Sequence, residues 1–198
     1  LLTTPLAAGA TISGINPQPI SKLIEGGTFA LPIRQIPIQF NPLQLDGNDE
    51  DVEMMMSLSL PNLVITEGGK EIANKNYLTS IKLIQRAPQT IEYRLNPKAT
   101  WSDGKRISIA DFLGQWRAIT GQRSGYQAIP LPGYESIKSI KVGADPTRIL
   151  VTFAKNYPDW KSLFTPLAPA TLTSSAGNFN DTWRTRPLTS AGPFIYDA

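Results

Sequence analysis

Neither cysteine nor histidine occurs among the 198 residues, and these two absences exclude more chemistry than any motif suggests. Zinc sites built on the usual sulfur and nitrogen ligands are ruled out, as is every Ser-His or Cys-His nucleophilic arrangement. Only carboxylates, lysines, tyrosines and hydroxyls remain as candidate catalysts. No disulfide can form, so the composition permits an oxidising compartment without requiring one. Charge is also sparse: 18% of residues are charged against 41% hydrophobic, the balance of an ordered globular chain. The net charge of +3 comes from scattered Lys and Arg, the densest groups being Lys98/Lys105/Arg106 and Arg184/Arg186. Nucleic-acid binding would want a basic stripe interleaved with exposed aromatics, and none is present. No stretch approaches the roughly 18 apolar residues of a membrane-spanning helix.

What is abundant is punctuation. Seventeen prolines and fifteen glycines cut the chain into short pieces, which predicts many short strands and ordered loops. Residues 1–25, with Pro17 and Pro19 and no periodicity, read as a tether. Ala8-Gly9-Ala10 fits either the tail of a secretory signal peptide or an arbitrary start. Thr28 to Arg34 is strand-like, and Pro32 marks an edge or an early break. The acidic run Asp46 to Asp51 lacks the glycine and terminal Glu spacing of a calcium loop, and suits the N-terminus of a short helix over Val52 to Leu58. Met54, Met55 and Met56 then read as core filler.

Three hairpins follow from turn chemistry: Leu63–Thr66 with a partner after Gly68-Gly69, Ser80–Gln85 with Thr90–Leu95, and Ser136–Val142 with Arg148–Ala154. Trp101-Ser102-Asp103-Gly104 is a tight turn. The clearest helix starts at Ser108 as N-cap, with Asp111 completing a capping box. Its stripe of Ile109, Phe112, Leu113, Trp116 and Ile119 faces a sheet, and Gly121 ends it. Tyr157 to Phe164 reads as a short helix with Pro158 near its start, followed by a polar loop to Pro187 and a strand at Gly192–Tyr196.

In order along the chain, Gly26-Gly27-Thr28, Phe40-Asn41-Pro42, Tyr93-Arg94-Leu95, Trp101-Ser102-Asp103-Gly104, Ala110-Asp111-Phe112 and Gly192-Pro193-Phe194 resemble the signatures of the family 5 extracellular solute-binding proteins. The wording around Asn41–Asp51, Asn96–Gly104, Tyr157–Phe164 and Thr189–Phe194 is similar to an actinobacterial lipoprotein branch. The resemblance implies a mixed α/β, type II periplasmic-binding-protein-like fold, present in part. Residues 26–58 and 168–198 would form the first lobe's main sheet, residues 59–167 an accessory α/β subdomain, and the second lobe would be missing.

The resemblance further implies a substrate-binding component of an ABC importer, a non-enzymatic monomer without cofactor. It would capture a peptide or similar solute outside the cell, at the envelope through a lipid anchor or signal segment, and deliver it to permease subunits. Some proteins of the lipoprotein branch are associated with envelope glycolipid assembly, which gives a scaffold or regulator as the alternative. Pro32 and Pro37 depart from the first strand of many peptide binders and leave the ligand class open.

By the same resemblance, Asp46 and Asn48 fall where peptide-binding relatives line the cleft, and Tyr126 where they present a tyrosine to the ligand. Helix capping for Asp46 and an ordinary loop position for Tyr126 are the competing readings. Trp101 and Trp116 read as core, and Asp103 as turn chemistry. A glycosidase-like use of Asp46, Asp49 and Asp103 is disfavoured because turn and helix-start roles already explain them. Because a clamp binds with both lobes, the chain alone should bind solute weakly or not at all. Titration with peptide pools tests this, and micromolar saturation would overturn it.

Overall fold

The computed structural model describes residues 19–22, 24, 26–27, 30, 32–122 and 124–194. The chain divides into two units, residues 1–32 and residues 33–198. The described part of the first unit holds one 3-10 turn, Ile20–Lys22, closed by the Lys22 N–H donating to the Pro19 carbonyl at 2.8 Å. Apart from exposed Ile24, the rest of the expected tether lies outside the described residues. So does much of the Thr28–Arg34 strand, whose described residues are irregular.

The second unit opens, after a 3-10 turn at Leu45–Gly47, with helix α1 (Glu50–Ser57). Asp49 caps α1 by accepting from the Asp51 N–H at 2.8 Å, and Glu50, Asp51 and Glu53 occupy the first turn, where unpaired amides favour negative charge. Of the three methionines Met56 is fully buried and Met55 packs on the core, while Met54 is exposed, so the filler reading holds for two. Strands β1 (Val64–Glu67) and β2 (Lys70–Ala73) form the first hairpin around Gly68-Gly69.

The other strands, β3 (Leu78–Arg86), β4 (Gln89–Leu95), β5 (Ile137–Val142) and β6 (Arg148–Phe153), build one antiparallel sheet in the order β3-β4-β6-β5. Register pairs Ile91 with Val151 and Tyr93 with Ile149, so alternate residues of the central strands point into one apolar face. An irregularity after Ile137 lets both Ile137 and Ile140 of the edge strand turn inward. The opposite face is polar. There Glu92 accepts from Arg148 Nε at 2.6 Å and lies 3.9 Å from Arg94, which reaches Asp145 at 3.7 Å.

Helix α2 (Ile109–Ile119) covers the apolar face and packs on β5. The capping box is formed: Ser108 Oγ accepts from the Ala110 N–H at 3.3 Å, and Asp111 returns a carboxylate oxygen to the Ser108 N–H at 2.7 Å. The expected apolar stripe packs on the core, but the most buried positions are Asp111, Phe112, Gln115 and Ala118. The helix is covered on a second side by the chain returning at residues 164–173, which sequence periodicity does not reveal. Phe112, Tyr93, Phe164 and Tyr134 form an aromatic cluster, with Phe112 and Phe164 centroids 4.8 Å apart and Tyr134 edge-on to Phe164 at 5.2 Å.

Asp111 and Gln115 tie α2 to that returning segment. Asp111 Oδ1 accepts from the Ala170 N–H at 2.7 Å. Gln115 accepts from the Ala168 N–H at 2.8 Å and donates to the Pro166 carbonyl at 3.1 Å and the Tyr134 hydroxyl at 2.8 Å. Burial pushes the Asp111 carboxyl above the usual range, opposed by the Ser108 and Ala170 N–H groups, which favour the charged form.

Three expectations need correction. The Tyr157–Phe164 helix is only a 3-10 turn at Trp160–Ser162, because Leu163 turns extended and Phe164 adopts a left-handed φ of 58° as both side chains enter the core. The polar loop before Pro187 contains helix α3 (Ala176–Asp181), capped by Ser175 and anchored by fully buried Phe179. At the end, Gly192–Phe194 are irregular, and Ile195 and Tyr196 lie outside the described residues.

Gly114 shows how closely α2 meets residues 170–173: a β-carbon there would stand 2.1 Å from Thr173 Oγ1 and 3.1 Å from Thr173 Cβ. In an open helix Gly→Ala stabilises by about 1 kcal/mol. Here the sign should reverse, with Gly114→Ala destabilising by roughly 1–3 kcal/mol through overpacking. Chemical denaturation checks this, and adding Thr173→Ala should restore part of the loss.

Candidate functional site

The Asn-Pro signature builds a buried strut. Asn41 donates Nδ2 to the Phe179 carbonyl at 2.9 Å, accepts at Oδ1 from the Leu43 N–H at 3.1 Å, and takes its own N–H to Gln39 Oε1 at 2.9 Å. Gln39 in turn donates to the Asn180 carbonyl at 2.6 Å, and the Phe40 N–H to the Trp183 carbonyl at 2.9 Å. Residues 39–43 are thereby fixed against α3 and the chain beyond it.

From this strut the chain runs alongside residues 127–129. The Leu45 N–H donates to the Gln127 carbonyl and the Ile129 N–H to the Leu43 carbonyl, both at 2.9 Å, around a bridge between Gln44 and Ala128. The buried side chain of Gln44 organises the corner: Oε1 accepts from the Asp46 N–H at 2.5 Å, and Nε2 donates to Gln127 Oε1 at 3.0 Å and reaches Asp46 Oδ2 at 3.5 Å. Asn180 locks the facing loop, accepting from the Gln127 N–H at 3.0 Å and donating to the Gly125 carbonyl at 2.8 Å.

All three sequence-predicted residues stand at or beside this corner. Asp46 is exposed on the 3-10 turn and forms no ion pair among the described residues, whereas Arg34 takes both Glu50, at 3.1 Å, and Asp51, at 3.4 Å. Asn48 is exposed at the end of the same turn, its N–H 3.5 Å from the Leu45 carbonyl. Tyr126 immediately precedes the paired Gln127. It is half-buried, edge-on to Phe179 at a centroid distance of 5.3 Å, and its hydroxyl donates to the Thr173 carbonyl at 2.9 Å. The polar tip of Tyr126 is therefore engaged within the fold, leaving its ring as what it can offer a ligand.

Sequence reasoning missed Gln44, Gln127 and Asn180, which are far apart in the chain and belong to no motif. Asp103 is confirmed as turn chemistry: it accepts from the Lys105 N–H at 3.1 Å and from Lys105 Nζ at 2.8 Å, which holds its carboxyl below the usual range. Among the described residues no cluster of His, Cys, Asp or Glu is arranged to hold a metal ion.

Residues 78–198 match the family model described as bacterial extracellular solute-binding proteins, family 5 Middle. The chain belongs to this family. It is 38% identical over 196 residues to the oligopeptide-binding protein OppA of Mycobacterium tuberculosis, which covers 97% of this chain and 33% of that protein. It is 29% identical over 111 residues to the probable monoacyl phosphatidylinositol tetramannoside-binding protein LpqW of the same species, covering 56% of this chain and 17% of that one. The chain thus spans about a third of the length of its OppA relative. Among solved structures, the periplasmic EDTA-binding protein EppA superposes with a TM-score of 0.71 at 23% identity, over 84% of this chain and 32% of that one. AppA of Bacillus subtilis, solved with a nonapeptide, gives 0.66 at 16% identity, over 82% and 32%. The fold is that of the family 5 binding proteins, present in part.

If Asn180 sets the 125–127 loop, Asn180→Ala should release the Gln127 amide while leaving the sheet intact. Hydrogen exchange at that amide should accelerate about tenfold, with strands β4 and β6 unchanged.

Proposed function

We propose that this chain is the first-lobe and accessory part of a substrate-binding component of an ABC importer, which captures a peptide outside the cell and delivers it to permease subunits. Residues 26–58 and 168–198 form the first lobe and residues 59–167 the accessory subdomain. The observation that carries the reading is the exposed Asp46 carboxylate, which forms no ion pair among the described residues and is held at a rigid corner by Gln44 beside Tyr126. The 38% identity to a protein named for oligopeptide binding supports the ligand class.

In this reading Asp46 meets the peptide's ammonium group or an amide, Asn48 supplies a second polar contact, and the Tyr126 ring forms a flat wall. A second lobe closes over the solute by hinge motion and contributes the remaining contacts. The protein works as a binder and not as an enzyme, at the cell envelope.

A second reading is motivated by the relative named for binding a monoacyl phosphatidylinositol tetramannoside: an envelope scaffold or regulator of glycolipid assembly with the same fold, not a transport component. In the intact protein, Asp46→Asn should weaken binding of a peptide with a free amino terminus by about tenfold, the worth of one charge-assisted hydrogen bond. The N-acetylated peptide should be insensitive to the substitution. Calorimetric titration reads both, and binding of a mannosylated phosphatidylinositol with no peptide binding would favour the second reading.

A further inference from the structure

The described residues also form a cavity away from the Asp46 corner. It lies between α1, the middle of α2 and the segments 129–134 and 157–166, with a volume of about 490 Å³, within the range that holds small organic ligands. Asp46, Asn48 and Tyr126 do not line it. Its walls are apolar, with Leu43, Met56, Leu131, Tyr134 and Leu163 among them.

Ser57, Asn62 and Ser162 also line it but donate within the fold, to the Met54, Ser57 and Asp159 carbonyls, and two further polar features remain. The Thr165 hydroxyl is buried and has no hydrogen-bond partner among the described residues. Desolvating a hydroxyl without a partner costs on the order of 1–3 kcal/mol on protein scales, so such a group calls for one. By contrast Gln115, on the same wall, spends both donor hydrogens and its acceptor within the fold. Thr165 follows Phe164, whose left-handed backbone is held by its N–H donating to the Tyr134 hydroxyl at 2.9 Å, so the orphan hydroxyl sits on a fixed segment.

The second feature is charge. Glu53 lines the cavity from the exposed side of α1 and forms no ion pair among the described residues, while its neighbours Glu50 and Asp51 are taken by Arg34. Among the described residues no lysine or arginine lines the cavity, and the one formal charge they present to it is negative.

We infer that this cavity is a second binding site, for a small organic amine with an apolar body, its ammonium at Glu53 and a polar atom of the ligand or a bridging water meeting Thr165. The site is independent of the peptide reading, since the two share no residue.

The test titrates the intact protein with 4-phenylbutylamine, 4-phenylbutanol and 4-phenylbutanoate, which differ only in their polar end, and follows amide shifts of the lining residues by NMR. The amine should saturate, the alcohol should bind about threefold more weakly, as befits a solvent-exposed ion pair, and the carboxylate more weakly still. Glu53→Gln, at an exposed helix position, should make amine and alcohol equal. Leu131→Trp should fill the cavity and abolish all three, and Asp46→Asn should change none of them. No saturable amine binding, a carboxylate that binds as well as the amine, or affinities untouched by Leu131→Trp and Glu53→Gln alike would overturn the inference. A lone water at Thr165 with no ligand response would do the same.

Discussion

Two buried polar side chains one turn apart on α2, Asp111 and Gln115, impose the constraint on which the rest of the unit depends. A carboxylate and an amide cannot stay in an apolar interior unless their lone pairs and hydrogens are met, and besides the Ser108 N–H and the Tyr134 hydroxyl the groups that meet them are backbone atoms of residues 166–170. The segment returning from the sheet is thereby pinned along the helix, which brings Thr173 against Gly114 and Phe164 into the aromatic cluster. From that point α3 is carried to the Asn41 strut and Asn180 to the 125–127 loop. The corner bearing Asp46 and Tyr126 is the far end of this chain of contacts.

The same constraint separates two environments. At the corner, backbone pairing and the Gln44 amide fix the chain while Asp46 stays in water. In the cavity on the other side of Leu43, packing leaves an apolar space with one orphan hydroxyl and one carboxylate at its edge. The first is a polar surface suited to sharing a ligand with a second lobe, and the second is a pocket enclosed by this unit's own elements.

Much of the local structure was legible from the residues. The Gly68-Gly69 turn and the pairing of Ser136–Val142 with Arg148–Ala154 placed hairpins correctly, and the Ser108–Asp111 box located the start of α2, because each depends on contacts within a few residues. Helix α3 was missed: six residues with Gly177 in second position and polar neighbours carry little helical signal, and what holds them is Phe179 buried among distant residues. The helix read at Tyr157–Phe164 failed for the converse reason, since local propensity yielded to the burial of Leu163 and Phe164. Of the candidate site, Asp46, Asn48 and Tyr126 came from resemblance, while the hydrogen bonds of Gln44, Gln127 and Asn180 that position them had no local trace.

By itself the sequence determined what turns and periodicity can determine: a strand-rich mixed fold, the caps of its main helix, and, through its ordered signatures, the family of solute-binding proteins. Tertiary structure alone decided that the Tyr126 hydroxyl is bound within the fold, that Asp46 has no ion pair among the described residues while Arg34 takes Glu50 and Asp51, and that α2 is buried on two sides. Those outcomes depend on which distant groups meet in space, and hydrogen-bond satisfaction in a packed interior is a property of the assembled chain, not of any window along it.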